Sequence, residues 1–197
     1  MPFNSVFSWL IGKRMARLEE CRNHPLQSQQ RVFNFLLKHG QFTEIGQTHR
    51  FSSIKSYRDF NENVPLHEYG TLKELIDRSI QGNENLLWPG KTNWFAKSSG
   101  TTADRVKILP VTSNSLFNNH YAGGKDLLAQ YYANLPNREL FNAKHLIVGG
   151  SGETKTKENG VFGGDLSAII INNLPWWTEW RRAPKKEIAL QSDWEKK

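Results

Sequence analysis

Lys97-Ser98-Ser99-Gly100-Thr101-Thr102-Ala103-Asp104-Arg105-Val106-Lys107 sets four hydroxyls, a glycine and flanking lysines in one short loop. On one side Thr92 to Ser98 alternates bulky and polar residues, and on the other Arg105 to Val111 is rich in β-formers, so both flanks read as strands. Serine and threonine hydroxyls and the backbone N–H groups of a glycine turn donate to phosphate oxygens, and a nearby lysine supplies a positive point charge. The loop therefore reads as a polyphosphate cradle, with ATP phosphates as its candidate ligand. The same residue types also favour a plain polar hairpin tip, because Ser, Thr, Gly and Asp are turn formers for conformational reasons alone.

Beyond the second strand, Thr112 is a candidate N-cap. Leu116, Phe117, His120, Tyr121, Leu127, Leu128, Tyr131, Tyr132 and Leu135 follow largely at three- and four-residue spacing, and Pro136 stops the pattern. Residues 92–135 thus give strand, hydroxyl-rich loop, strand and helix in that order. This layout resembles the phosphate-binding element of adenylate-forming enzymes.

The flanking residues narrow the resemblance. Val64-Pro65-Leu66-His67-Glu68-Tyr69, a helix from about Leu72 to Ile80, Gly82, and Leu87-Trp88-Pro89-Gly90 lead into the loop; Lys107, Pro110-Val111-Thr112 and Gly164-Asp165-Leu166-Ser167 follow it. Over most of its length the chain resembles the N-terminal portion of the Gretchen Hagen three (auxin-responsive promoter) family of acyl-acid amido synthetases. One departure is Asp104, which stands where many adenylate-forming loops carry glycine. It would repel a triphosphate unless it points away or pairs with Arg105.

The resemblance implies an α/β fold, a piece of the large N-terminal domain of an adenylate-forming enzyme with a helical start followed by mixed sheet and helices. It implies a ligase in which a carboxylate attacks the α-phosphorus of ATP and the acyl adenylate then accepts an amine, usually of an amino acid. By the motif match, Ser98, Ser99, Thr101 and Thr102 donate to phosphate oxygens, Gly100 lets the backbone approach, and Lys107 adds charge. Mg²⁺ is shared between the phosphates and residues mostly outside this segment. The partners implied are a small carboxylic acid and an amine or amino acid. Adenine and ribose contacts, a catalytic acid and a mobile C-terminal domain lie beyond the matched region, so no catalytic residue is assigned here.

A second glycine-rich stretch has to be weighed. Ala143 to Val148 reads as a buried strand, and Gly149-Gly150-Ser151-Gly152-Glu153-Thr154-Lys155-Thr156 nearly spells a Walker A loop. Thr154 stands where that motif needs glycine, and the following residues lack the helix whose N-terminus would hold phosphate. A flexible glycine-rich surface loop beside the active site is the better reading.

Charge excludes less than it suggests. The net charge of +7 arises at the two ends: residues 1–60 carry 9 Lys and Arg against 4 acids, 61–180 carry 11 against 12, and 181–197 carry 6 against 3. A nucleic-acid module would more often gather its charge on one face with interleaved aromatics. Arg14, Arg17 and Arg22 instead fit the solvent side of an amphipathic helix whose other face carries Phe7, Leu10, Ile11, Met15 and Leu18. No apolar run is long enough to span a membrane, and no cleavable leader is visible, so cytoplasmic residence is the default expectation. The single Cys21 excludes an internal disulfide framework and a cysteine metal cluster. The six histidines show no metal-like pair at helical spacing, so no metal site is assigned.

Residues 1–40 read as a helical pair, Asn4 to Cys21 and Pro25 to His39, the second striped by Val32, Phe33, Leu36 and Leu37 and stopped by Gly40. Phe60 to Pro65 reads as loop, and Thr71-Leu72-Lys73-Glu74 as a capping box opening the next helix. No linker or repeat interrupts residues 1–197, which are expected to form one partial domain. His120 reads as a partly buried structural residue, and Trp176, Trp177 and Trp180 as anchors of a loop to the core. Trp194-Glu195-Lys196-Lys197 continues the helical charge pattern of Lys185-Lys186-Glu187 without a stop, so the chain is expected to be an N-terminal fragment. Alternatives to the ligase fragment are a noncatalytic nucleotide-binding or interaction domain and a basic nucleic-acid-binding module. The acyl acid, the amine and the oligomeric state are not fixed by the sequence.

Overall fold

Helices come first along the chain: α1 (Pro2–Gly12), α2 (Arg14–Asn23), α3 (Pro25–Gly40), α4 (Glu44–Thr48), α5 (Tyr57–Asn63) and α6 (Tyr69–Ile80). Strands β1 (Trp94–Lys97) and β2 (Ile108–Val111) follow, then a π-helical turn (Asn114–His120) running into α7 (Tyr121–Asn134). The remainder holds β3 (His145–Leu146), β4 (Lys155–Thr156), β5 (Phe162–Asp165), α8 (Leu166–Asn172), a 3₁₀ turn (Trp176–Arg181), β6 (Arg182–Ala183) and α9 (Lys186–Ala189). The structure is a computed structural model that describes residues 2–98, 106–135, 140–150, 155–156 and 161–197. The chain is an α/β fold with a helical start and a small mixed sheet system.

By backbone proximity the chain forms two compact units. A hairpin unit comprises Gln29–Thr112 and Thr154–Gly164, and a terminal unit comprises Met1–Ser28, Ser113–Glu153 and Asp165–Lys197.

In the hairpin unit the strand order is β2-β1-β5-β4. The antiparallel β1–β2 register pairs Trp94 with Val111, Phe95 with Pro110, Ala96 with Leu109 and Lys97 with Ile108. Pro110 is tolerated because β2 is an edge strand: it has the same parity as Ile108, whose backbone faces away from β1, so its missing N–H costs no ladder bond. Helix α6 covers the sheet, and Ile76, Phe95 and Val161 form a core against which Tyr69, Leu72, Ile80, Leu87 and Ile108 pack. Its C-terminus closes in a Schellman motif: Gly82 N–H donates to Ser79 O at 3.0 Å and Asn83 N–H to Arg78 O at 3.1 Å. Gly82 takes φ of 98°, the left-handed conformation the motif requires.

The Leu87-Trp88-Pro89-Gly90 stretch is fixed from two sides. Trp88 lies in an aromatic stack with His39 and Phe35 of α3, with ring centroids 6.2 Å from each. Asn85 Oδ1 accepts from Gly90 N–H at 2.7 Å, while the Asn85 and Leu86 carbonyls take the first N–H groups of α4, from Glu44 at 2.8 Å and Ile45 at 3.1 Å. Glu44 in turn holds Arg78 of α6 in a two-pronged pair at 2.8 and 2.7 Å, which lowers the glutamate pKa and raises that of the arginine.

The terminal unit packs α1 and α2 against α7. Arg14 Nε donates to Asp126 Oδ1 at 2.6 Å, and the Tyr121 hydroxyl donates to Ile170 O of α8 at 2.7 Å. Burial pushes the Tyr121 phenol up to about 12. Strand β6 pairs in parallel with β3 and carries the buried Arg182, whose guanidinium meets Glu179.

Several local expectations change. Residues 1–40 hold three helices rather than two: α1 closes at Gly12, a poor helix former, and α2 opens at Arg14. The expected loop from Phe60 begins only at Val64: Ser56 caps α5, accepting from Asp59 N–H while the Asp59 carboxylate takes Ser56 N–H. Thr71 is not a cap, since α6 starts at Tyr69 and the Thr71 hydroxyl donates back to Glu68 O at 2.8 Å. The expected buried strand at Ala143 to Val148 shrinks to two residues, with Leu146 80 % exposed. His120 is exposed, not partly buried. Trp176 and Trp180 are exposed rather than anchored and pack edge to face on each other, ring centroids 5.2 Å apart, whereas Trp177 meets the Phe7 ring at 6.3 Å. Residues 185–197 form α9 and a separate 3₁₀ turn (Trp194–Lys196), not one helix.

Candidate phosphate-binding hairpin

The neck of the hydroxyl-rich loop is the β1–β2 hairpin, and its last rungs are built by two of the candidate residues. Ser98 N–H donates to Lys107 O at 2.9 Å, continuing the ladder past Lys97 and Ile108. The return bond is different in kind: Lys107 N–H donates to the Ser98 hydroxyl oxygen at 3.1 Å. Ser98 therefore spends an acceptor lone pair on the hairpin, and among the described residues its O–H meets no acceptor. Lys107 is exposed, and among the described residues its ammonium meets no carboxylate.

Tyr69 fixes the outer edge of this neck. Its hydroxyl accepts from Ile108 N–H at 2.9 Å and donates to Ile108 O at 3.3 Å, satisfying both outward backbone groups of that residue on the edge strand. Its ring also lies 5.7 Å from the Lys107 ammonium, a cation–π arrangement that holds the lysine beside the loop mouth. Sequence reading gave Tyr69 no role in the site: 39 residues separate it from Ile108, and no short-range pattern links them.

Ser98 and Lys107 are thus brought together at one end of the hairpin. Ser99, Gly100, Thr101 and Thr102 lie outside the described residues, as do Asp104 and Arg105. The hydroxyl donor and lysine at the neck fit a phosphate, which offers acceptor oxygens and negative charge.

The second glycine stretch is organised differently. Gly149 N–H donates to Ala189 O at 3.1 Å and Gly150 N–H to Ser167 Oγ at 2.8 Å, so both donors are consumed within the fold. A Cβ on Gly150 would lie 2.1 Å from the Asp165 carboxylate, which explains glycine there by close approach. Lys155 and Thr156 belong to strand β4, paired antiparallel with β5, whereas a Walker lysine opens a helix. The Walker reading fails on that pairing.

Hairpin, edge-capping tyrosine and covering helix belong to one α/β scaffold. The same fold is found in an acyl acid amido synthetase, GH3.15, with a TM-score of 0.75, 18% identity, and coverage of 92% of this chain and 32% of that one. A structure described as AtGH3.15 acyl acid amido synthetase in complex with 2,4-DB matches with a TM-score of 0.59, 16% identity, and coverage of 83% and 29% respectively. The chain thus spans about a third of the length of these enzymes. The chain belongs to the GH3 family: residues 14–197 match the GH3 family N-terminal domain. No curated protein matches it in sequence. Among the described residues, no helix is long and apolar enough to cross a membrane.

Proposed function

We propose that this chain is the phosphate-holding N-terminal part of an ATP-dependent acyl-acid amido synthetase. The observation that carries the reading is the hairpin neck, where among the described residues the Ser98 hydroxyl meets no acceptor and the Lys107 ammonium no carboxylate, at the mouth of a Ser-Ser-Gly-Thr-Thr loop. Family membership and the shared fold support it. Bound ATP with Mg²⁺ would supply an electrophilic α-phosphorus and a pyrophosphate leaving group for an acyl acid, which would then pass to an amine or amino acid.

The residues of this chain hold and orient. Ser98, Ser99, Thr101 and Thr102 donate to phosphate oxygens, Gly100 admits the backbone, and Lys107 offsets charge as it develops on the leaving oxygens. Tyr69 keeps the edge strand and the lysine in place. By the family resemblance, residues for adenine and ribose lie outside the matched region; the alternative reading is a noncatalytic nucleotide-binding domain.

The test uses an enzyme carrying this segment and measures pyrophosphate exchange into ATP with and without added carboxylic acids. Acid-dependent exchange is expected, falling on the order of a hundredfold when Thr101 and Thr102 are both replaced by Ala. Unchanged exchange in a folded double variant would remove the loop from the mechanism. Nucleotide binding with no exchange under any acid would favour the noncatalytic reading.

A further inference from the structure

His49 and His67 lie 18 residues apart, yet their Nε2 atoms are 3.1 Å apart, with ring centroids 5.1 Å apart and the rings inclined at 62°. Both belong to the hairpin unit. His49 follows α4, whose backbone is held by the buried Thr43 cap and by the Asn85 and Leu86 carbonyls. His67 precedes α6, and its Nδ1 lies 3.3 Å from Thr71 Oγ1.

The hydrogen-bond network assigns the tautomers. The Thr71 hydroxyl already donates its hydrogen to Glu68 O at 2.8 Å, so toward His67 it can only accept. Nδ1 of His67 therefore carries the proton, and Nε2 presents a bare lone pair. That lone pair accepts from Nε2–H of His49 across the 3.1 Å gap. This is the outer-shell arrangement that orients a ligating imidazole: one ring nitrogen tethered by its N–H, the other presenting its lone pair to the partner imidazole.

We propose that His49 and His67 form a two-histidine site for a borderline divalent transition ion such as Zn²⁺. With metal–nitrogen bonds of about 2.0–2.1 Å, two nitrogens 3.1 Å apart subtend roughly a right angle at the ion, within the range of adjacent coordination positions. His49 binds by moving its proton from Nε2 to Nδ1 through water, so a neutral pair takes up the ion without net proton release. His67 is exposed and His49 half-buried, so water completes the coordination. Among the described residues no group of three or more His, Cys, Asp and Glu side chains is placed to hold a metal, which makes this an open two-ligand site. Imidazole nitrogen selects Zn²⁺, Ni²⁺ or Cu²⁺ over Mg²⁺ or Ca²⁺.

The experiment titrates the untagged protein with Zn²⁺ in a non-chelating buffer, read by calorimetry and by nitrogen-15 NMR of the imidazoles. One equivalent is expected to bind, with the Nε2 signals of His49 and His67 moving together and excess Mg²⁺ not competing. His49→Gln and His67→Gln should each weaken binding at least tenfold with the fold intact by circular dichroism. Thr71→Val, which touches no metal, should weaken it about tenfold through lost orientation of His67. Zn²⁺ affinity unchanged in both histidine variants, or an Nε2–H tautomer of His67 in the metal-free protein, would overturn the site.

Discussion

Two glycine-containing stretches look alike as sequence and part company as structure. The Lys97–Lys107 loop rises from a hairpin neck at which Ser98 gives up one lone pair, and among the described residues its O–H meets no acceptor and the Lys107 ammonium beside Tyr69 no carboxylate. The Gly149-Gly150 stretch has its amide donors spent on Ala189 and Ser167 and its open side filled by Asp165. Glycine density does not make a phosphate site; what counts is whether donors are left over once the fold has satisfied itself.

The contrast can be broken most sharply at Gly150. Its added methyl would meet not only the Asp165 carboxylate oxygen at 2.1 Å but also Asp165 Cβ at 2.7 Å, so a rotamer change alone does not make room. Gly150→Ala is expected to destabilise by about 3 kcal/mol in urea unfolding, and adding Asp165→Gly should recover most of it. A Gly150→Ala protein of normal stability that loses affinity for ATP would make this stretch a ligand loop and end the distinction.

The hairpin side is tested at Tyr69. Phenylalanine keeps the ring beneath Lys107 but leaves Ile108 N–H and O without their partner on the strand edge. Tyr69→Phe is expected to cost about 1–2 kcal/mol and to speed amide exchange at Ile108 and Lys107 more than at Phe95. Uniform exchange across both strands would mean that the tyrosine does not set the neck.

What the sequence made legible follows the range of the forces involved. Alternation around Trp94 to Lys97, the helical stop at Gly40 and the end of α7 near Leu135 are local patterns, and each is found close to where it reads. The α5 helix is not legible in the capping-box signature because its reciprocal cap uses Asp59, where that signature carries Glu or Gln. The loop chemistry was legible as residue types, but the bonds of Ser98, Lys107 and Tyr69 arise from pairing across a hairpin and a helix. The His49–His67 pair is likewise made by tertiary structure, and helical spacing is blind to it. Exposure of Trp176 and Trp180 is not legible because large aromatics are buried on average, a tendency that carries no information on which neighbours are present.

Titration sharpens the comparison by giving each unit its own reporter. In the terminal unit the Tyr121 phenol is pushed up to about 12 by burial, above the ordinary value of 10. An acid whose folded pKa is raised contributes fully below the unfolded value, and its stabilisation is lost as pH climbs from 10 toward 12. The loss should reach about 1 kcal/mol, less than full linkage would give because the phenol is partly solvated. Tyr121→Phe should flatten that alkaline limb, and a limb of unchanged slope would locate the titration elsewhere.

The smallest effect is expected on the acid side of the hairpin unit. Glu44 has its pKa lowered first by its hydrogen bonds with Arg78, against a weaker opposing effect of desolvation. Because the folded value is depressed, the pair contributes above the ordinary carboxylate range, and the contribution disappears as pH falls through the folded pKa. Glu44→Gln should therefore lower the urea midpoint slightly at neutral pH and converge with the parent protein below about pH 3, where both side chains are uncharged at position 44. High salt should shrink the neutral-pH difference, as an exposed pair requires. Asp59 complicates the acid limb, since its pKa is also lowered, by Lys55 and Ser56 backbone and side-chain donors. The Glu44→Gln and Asp59→Asn variants are thus measured separately and together: additive acid limbs would assign each carboxylate its own share, and an unaltered limb in Glu44→Gln would show that the α4–α6 tie does not support the loop's scaffold.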